Sequence, residues 1–266
     1  MKNNFYYLVP EDYDNKNNLK NEYFIIEELR NSKINITPIS QFDEKKVINL
    51  TNLDGILFNS LKKIQQNKYL LEYSKKNNIP VFWWYFDTST TRLLKSMKIN
   101  KIAKDASIFF NKDKEKFQQY LKMGINPIWL DQGVPKQCEL IEKPKYHYDV
   151  SFMGSYEKVH SKRNKMLKQI DADFNLIIYT KDEKKFISRG FSNVKPFIPI
   201  NLISKKIAKI NLVINGNYNH PHCWSNRIHL MIGSGGFSLV EKTKGLEKFY
   251  LNNKHCIFFN DYIDLK

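Results

Sequence analysis

Trp224-Ser225-Asn226-Arg227-Ile228-His229-Leu230-Met231-Ile232-Gly233-Ser234-Gly235-Gly236-Phe237 joins a polar helix start to a glycine-rich helix end, and an apolar strand, Phe237–Val240, follows at once. Ser225 and Asn226 are good N-cap types, and Arg227 falls in the first helical turn. A helix start presents unsatisfied N–H groups and the positive end of a dipole, which suits a phosphate. Arginine adds a forked donor that matches phosphate oxygens. The same residues also describe an ordinary capped helix with a Gly-Gly turn. They therefore set a helix-then-strand order and leave the ligand open.

That order extends in both directions. Upstream, Asp149–Met153 and Phe174–Tyr179 read as strands around a helix at Lys162–Ile170. Val194–Phe197, a helix at Leu202–Lys209 and a strand at Leu212–Ile214 follow. Downstream come a short helix near Leu246–Tyr250 and a strand at Cys256–Phe259. The first half repeats the pattern. Phe5–Val9, Ile34–Pro38, Gly55–Phe58, Val81–Phe86, Ser107–Phe110 and Pro127–Leu130 are strand-like. Asn18–Arg30, Leu61–Lys76 and Lys114–Lys122 carry helical spacing. Between the halves, Gln132–Tyr148 holds Gly133, Pro135 and Pro144 and few core residues, as a linker would. The expected organisation is α/β, with a Rossmann-like domain over 1–135, a linker over 136–148 and a second Rossmann-like domain over 149–266. Ligands of such sheets bind beyond the carboxyl ends of the strands, so the default site is a cleft between the domains. Gly154–Ser155, Asn215–Trp224 and Glu241–Gly245 are the loops placed there in the second half, and Asp87-Thr88-Ser89 in the first.

Composition narrows the partners. The chain has 266 residues, 42% of them hydrophobic, which is ample for a packed core. No apolar run approaches the roughly 18 residues of a membrane span. The first residues turn acidic and polar too soon for a signal peptide. Cys138, Cys223 and Cys256 are scattered and form no CxxC pair, which fits a reducing cytoplasm. The net charge is +16, yet of the 43 basic residues only Arg30, Arg92, Arg163, Arg189 and Arg227 are arginine. Lysine is spread along the whole chain in no dense block, so a nucleic-acid partner is not expected. A basic surface is compatible with peripheral contact to an anionic membrane.

The motifs resemble those of a GT-B glycosyltransferase, in the spore-maturation (CgeB-like) branch of the group 1 glycosyltransferases. The resemblance rests on Asp149-Val150-Ser151-Phe152-Met153-Gly154-Ser155 with Arg163 in the next helix. It continues through Trp224-Ser225-Asn226-Arg227 to Gly235-Gly236-Phe237, then Gly245-Leu246-Glu247, Asn253-Lys254-His255 and Phe259-Asn260-Asp261. In the first half, Trp83-Trp84-Tyr85-Phe86-Asp87 and Trp129-Leu130-Asp131-Gln132-Gly133-Val134 are similar to the family's strand-to-loop motifs. The resemblance implies sugar transfer from a nucleotide-diphosphate sugar to a glycan, lipid or protein acceptor, with the donor on the second domain. It implies no metal cofactor, the leaving diphosphate being met by helix starts and basic side chains. Gly154, Ser155, Arg163, Ser225, Asn226 and Arg227 would form that seat, and Glu247 would touch the ribose. Many relatives carry two glutamates eight positions apart. Here Pro221 and His229 stand at those positions, so His229 would make the ribose contact, and a non-catalytic nucleotide-sugar-binding protein is the alternative. Relatives also continue into helices that cross back over the first domain; this chain stops at Lys266.

Asp87 is the candidate general base for an acceptor hydroxyl, or equally an N-cap for a helix starting near Thr90. His220, His222 and Cys223 have ligand chemistry but lack a second pair at zinc spacing, so no metal is expected. Phe82–Phe86 reads mostly as core. Glu241 and Lys242 end a strand, where a solvated loop is the default and donor contact the alternative.

Overall fold

The structure is a computed structural model that describes residues 4–15, 20–41, 53–86, 93–138, 146, 148–215 and 221–266. Asp87 and His220 lie outside the described residues, as do 139–145 and 147 of the expected linker. The chain forms two compact units, Met1–Asp131 and Gln132–Lys266.

In the first unit, strands β1 (Asn4–Leu8), β2 (Asn35–Ile39), β3 (Gly55–Phe58), β4 (Val81–Tyr85), β5 (Ile108–Asn111) and β6 (Pro127–Trp129) form one parallel sheet in the order β2-β1-β3-β4-β5-β6. Helices α1 (Asn21–Asn31), α2 (Leu61–Gln66), α3 (Lys68–Lys76), α4 (Leu93–Asp105) and α5 (Phe117–Lys122) connect the strands. The aromatic strand β4 alternates. Val81, Trp83 and Tyr85 are buried, while Phe82 and Trp84 are half-buried. Trp83 stacks on Phe58 at 5.3 Å and leans on Phe109 at 4.9 Å, which anchors the core of this unit. Leu61–Lys76 is two helices, not one. Asn67 breaks the ladder by turning its side-chain amide back to the Lys63 carbonyl at 2.8 Å, the local competition expected of asparagine in a helix.

The second unit holds β7 (Val150–Met153), β8 (Leu176–Thr180), β9 (Val194–Pro196), β10 (Ile210–Val213), β11 (Ser238–Glu241) and β12 (Ile257–Phe259) in the order β12-β11-β10-β7-β8-β9, again all parallel. Helices α6 (Ser161–Asp173), α7 (Glu183–Ile187), α8 (Arg227–Gly233) and α9 (Tyr262–Leu265) complete it. Every residue of β7 and β8 is buried, because both faces of a parallel sheet are covered and its strands are continuous apolar runs. The order is the doubly wound dinucleotide-fold order. The chain winds outward from β7 through β8 to β9, returns to the other side of β7, and winds out again from β10 to β12. Its topological switch point therefore lies between the carboxyl ends of β7 and β10. The expected helix at Leu202–Lys209 is instead a 3₁₀ turn at Ile200–Lys205. Ile200 and Ile203, both buried, repeat at three, the 3₁₀ period. The helix expected near Leu246–Tyr250 is likewise a 3₁₀ turn, at Leu246–Lys248.

No helix among the described residues is long and apolar enough to cross a membrane.

Candidate functional site

The switch point of the second sheet is occupied by Arg227. One terminal nitrogen, Nη1, donates to the Met153 carbonyl at 2.8 Å, and the other, Nη2, to the Ile214 carbonyl at 2.9 Å. These carbonyls end β7 and follow β10, so the guanidinium ties the two strand ends together. Its Nε is buried and has no acceptor among the described residues. Arg163, from the first turn of α6, lies alongside. It is 3% exposed, donates from Nη2 to the Ser155 carbonyl at 2.6 Å, and also has a buried Nε with no acceptor among the described residues. Both guanidiniums sit over the ring of Phe152, Arg227 at 5.1 Å and Arg163 at 5.4 Å from its centre, a cation–π arrangement.

Two buried cations this close repel. Burial pulls Arg227 down to about 9, with Arg163 pushing in the same direction and Glu241 opposing. Burial pulls Arg163 down to about 10, opposed by Glu157 and Glu241. Both remain charged at neutral pH. The neighbouring carboxylate, Glu241, ends β11 and is 3% exposed. Its Oε1 accepts from Lys162 Nζ at 3.0 Å and its Oε2 from the Asn215 backbone N–H at 2.8 Å. Glu241 thus departs from the solvated loop expected of it, because its carboxylate is needed inside to meet these donors, while Lys242 is exposed. Arg163, Arg227 and Lys162 outnumber Glu241 and Glu157, so the cluster keeps an excess of positive charge.

Gly154 follows β7, with its N–H bonded to the Tyr179 carbonyl at 3.0 Å. A Cβ there would lie 2.3 Å from Arg227 Nη1 and 2.8 Å from the Phe152 ring. The residue is glycine because the arginine occupies its side-chain space. Ser155 is exposed at the rim. Ser225 uses its N–H on Asn215 Oδ1 at 3.0 Å, and its Oγ accepts the Arg227 N–H at 3.4 Å. Asn226 precedes α8 in the helical region, with φ −64° and ψ −10°, and its side chain makes no capping bond. The cap expected of the Ser-Asn pair is therefore supplied by Ser225 alone.

His229 turns away from the strand ends. Trp224 Nε1–H donates to its Nε2 at 3.2 Å, so the ring proton sits on Nδ1, which meets Tyr250 Oη at 2.6 Å. Both nitrogens serve contacts within this unit, and the ring offers neither to a ribose in this arrangement. Glu247 is exposed and reaches back with Oε2 to the Gly245 N–H at 2.9 Å, which leaves Oε1 at the surface. Gly245 has φ +96°, and a Cβ there would meet His222 Nδ1 at 2.2 Å. Gly245→Ala is therefore expected to cost about 1–3 kcal/mol from the left-handed backbone and the overlap together, read as a lower unfolding midpoint. Among the described residues, no three His, Cys, Asp or Glu side chains gather as a metal site would require.

Gly154, Ser155, Arg163, Ser225, Asn226 and Arg227 thus come together at one strand edge, with Glu247 in the turn after β11 and His229 turned inward. Sequence reasoning missed Lys162, placed Asn215 only as the start of a loop, and named Glu241 without its inward turn.

No protein-family model and no curated protein sequence matches the chain. Solved structures do match in fold. HepE of Anabaena, solved with UDP and glucose, superposes with a TM-score of 0.64 at 9% identity, covering 100% of this chain and 88% of that one. Sucrose-phosphate synthase of Thermosynechococcus elongatus gives 0.67 at 8% identity, over 99% of this chain and 88% of that one. A T4 phage BGT mutant in complex with UDP-glucose gives 0.60 at 14% identity, over 100% and 87%. The fold is thus the two-Rossmann GT-B fold of glycosyltransferases.

Proposed function

We propose that the chain is a glycosyltransferase, of the spore-maturation branch, that moves a sugar from a nucleotide-diphosphate sugar to a glycan, lipid or protein acceptor. The observation that carries this reading is the pair of buried guanidiniums at the switch point, each with an Nε that has no acceptor among the described residues, in a cluster where Arg163, Arg227 and Lys162 outnumber Glu241 and Glu157. A diphosphate supplies that missing charge. HepE and the T4 phage BGT mutant of the same fold were solved with UDP-glucose.

In the reaction, the bond between the sugar's C1 and the diphosphate oxygen breaks, and the diphosphate leaves with its electron pair. Negative charge grows on that oxygen as the bond stretches. Donors already held in place therefore stabilise the transition state more than the ground state. Arg227 and Arg163 are so held, by Phe152 and by the carbonyls of Met153 and Ile214 for the one and Ser155 for the other. They give the charge neutralisation that a metal would otherwise supply. The acceptor hydroxyl attacks C1, and its proton passes to a base, for which Asp87 is the candidate. Gly154 gives Arg227 its room, Ser155 offers backbone at the rim, Ser225 and Asn226 the start of α8, and the outer oxygen of Glu247 a ribose contact. Because the His229 nitrogens are engaged, we assign it to positioning Trp224 and Tyr250. The scattered, buried cysteines suit a cytoplasmic setting, and the basic surface suits peripheral contact with an anionic membrane.

The test is calorimetric binding of UDP, GDP, ADP and CMP to the wild type, Arg163→Lys and Arg227→Ala, each first shown to be folded by thermal unfolding. One nucleotide should bind at micromolar Kd and weaken about 10- to 100-fold in the variants, the worth of a charge-assisted hydrogen bond. Failure of every nucleotide to bind the folded wild type would overturn the reading. Binding with no turnover over a panel of sugars would instead identify a non-catalytic nucleotide-sugar binder.

A further inference from the structure

From β9 at the edge of the second sheet, the chain must pass β8 and β7 to reach β10. A doubly wound sheet ordinarily makes such a crossing with an α-helix that covers the strands beneath. Here the crossing contains only the 3₁₀ turn Ile200–Lys205. Beside this turn lies a cavity of about 570 Å³, within the roughly 300–1,000 Å³ of small-molecule sites. Ile177 and Tyr179 of β8 line it, with the aromatic rings of Tyr148 and Phe197. Lys195, Lys205 and Lys206, all exposed, also line it, and Lys181 Nζ stands 5.1 Å over the Phe197 ring. Among the described residues, no carboxylate lines the cavity.

We propose that this cavity is a second binding site, for a soluble organic anion built on a flat apolar ring, such as an aryl phosphate. The aromatic walls would hold the ring by stacking and burial. The lysines would hold the anionic group as point charges, an interaction that neighbouring carboxylates would cancel and that the described lining leaves intact. Burial raises the Tyr179 phenol above its ordinary range, so it stays a neutral hydrogen-bond donor at any physiological pH. The site is separate from the switch point, for it contains none of Gly154, Arg163, Ser225 or Arg227. The two are nevertheless neighbours: Tyr179 lines the cavity with its side chain and holds the Gly154 N–H with its carbonyl.

The test uses 1-naphthyl phosphate as the probe, titrated calorimetrically into the full chain. The wild type should bind it at micromolar Kd, with UDP unable to compete. Arg227→Ala, if folded, should bind it as well as the wild type. Lys195→Glu and Lys205→Glu should each weaken it at least about tenfold, since each exchanges an attractive charge for a repulsive one, while leaving UDP binding unchanged. Both lysines are exposed, so the reversals should fold, and an unaltered unfolding midpoint verifies it. Leu202→Trp at the cavity wall should block the probe by bulk alone. Three results would overturn the proposal. One is no binding to the folded wild type. A second is binding that Arg227→Ala abolishes and Lys205→Glu leaves intact, which would put the probe at the switch point. The third is phosphatidylglycerol vesicles displacing the probe and losing their own binding in the same reversals, which would make the lysines part of a membrane-facing surface.

Discussion

Gly154→Ala is expected to weaken nucleotide binding about tenfold or more and to lower the unfolding midpoint by roughly 3–10 °C. The added methyl would stand 2.3 Å from Arg227 Nη1 and 2.8 Å from the Phe152 ring. Overlap with the tip of a long side chain is ordinarily relieved at little cost. This tip is pinned, however, by the Met153 and Ile214 carbonyls, and Phe152 is completely buried. Relief must therefore break at least one of the two bonds that join β7 to β10, or shift a core ring. Either response moves the guanidinium from the place where the diphosphate is proposed to sit. Gly133→Ala is the control, because nothing among the described residues lies within 4 Å of the methyl it would add. Calorimetry with UDP and a thermal scan decide the matter. If Gly154→Ala matched the wild type in both, Arg227 would be free to move without loss, and its role as a clamp of the site would fall.

The strands were legible because a parallel sheet buried on both faces writes itself as short apolar runs. Val81–Phe86, Asp149–Met153 and Phe174–Tyr179 each differ from the observed strand by only one or two residues at an end. Helices were harder wherever a single side chain or a short period decided the outcome. The Asn67 amide cut one helix in two, and the spacing of Ile200 and Ile203 wound another as 3₁₀. For the site, residue types and neighbourhood were legible while contacts were not. Gly154, Arg163 and Arg227 meet because parallel strands bring their carboxyl ends to one edge, which the βα alternation already implied. That Arg227 spends two nitrogens on carbonyls 74 and 13 positions away has no local signature. Nor does the inward turn of Glu241, whose partners Lys162 and Asn215 are 79 and 26 positions distant. His229 was legible as a polar residue of α8 and illegible as a partner of Trp224 and Tyr250. Only the closing of the turn after β11 onto α8 brings Tyr250 within reach.

Glu241→Gln is expected to change stability and nucleotide affinity in opposite directions. The substitution keeps the shape of the side chain and removes the charge that offsets Arg163, Arg227 and Lys162. It also turns an amide NH₂ toward either the Asn215 N–H or the Lys162 ammonium, setting donor against donor where the carboxylate now accepts from both. Removing one partner from a buried ionic cluster costs about 3–5 kcal/mol, which for a unit of this size lowers the unfolding midpoint by roughly 10 °C or more. The same loss of negative charge makes the pocket more attractive to an anion, because a diphosphate no longer meets the repulsion of a nearby carboxylate. UDP should therefore bind the folded variant several-fold more tightly than it binds the wild type, and saturating UDP should restore part of the lost midpoint, since a ligand at about 100 times its Kd stabilises by about 2.7 kcal/mol. Thermal scans with and without UDP, paired with calorimetry, read both effects on one protein. A variant that lost stability and affinity together would show that Glu241 builds the nucleotide seat by positioning Asn215 and Lys162, with charge balance secondary. A variant that lost neither would mean that the two guanidiniums need no buried counter-charge, and a diphosphate would not be required to complete their neutralisation.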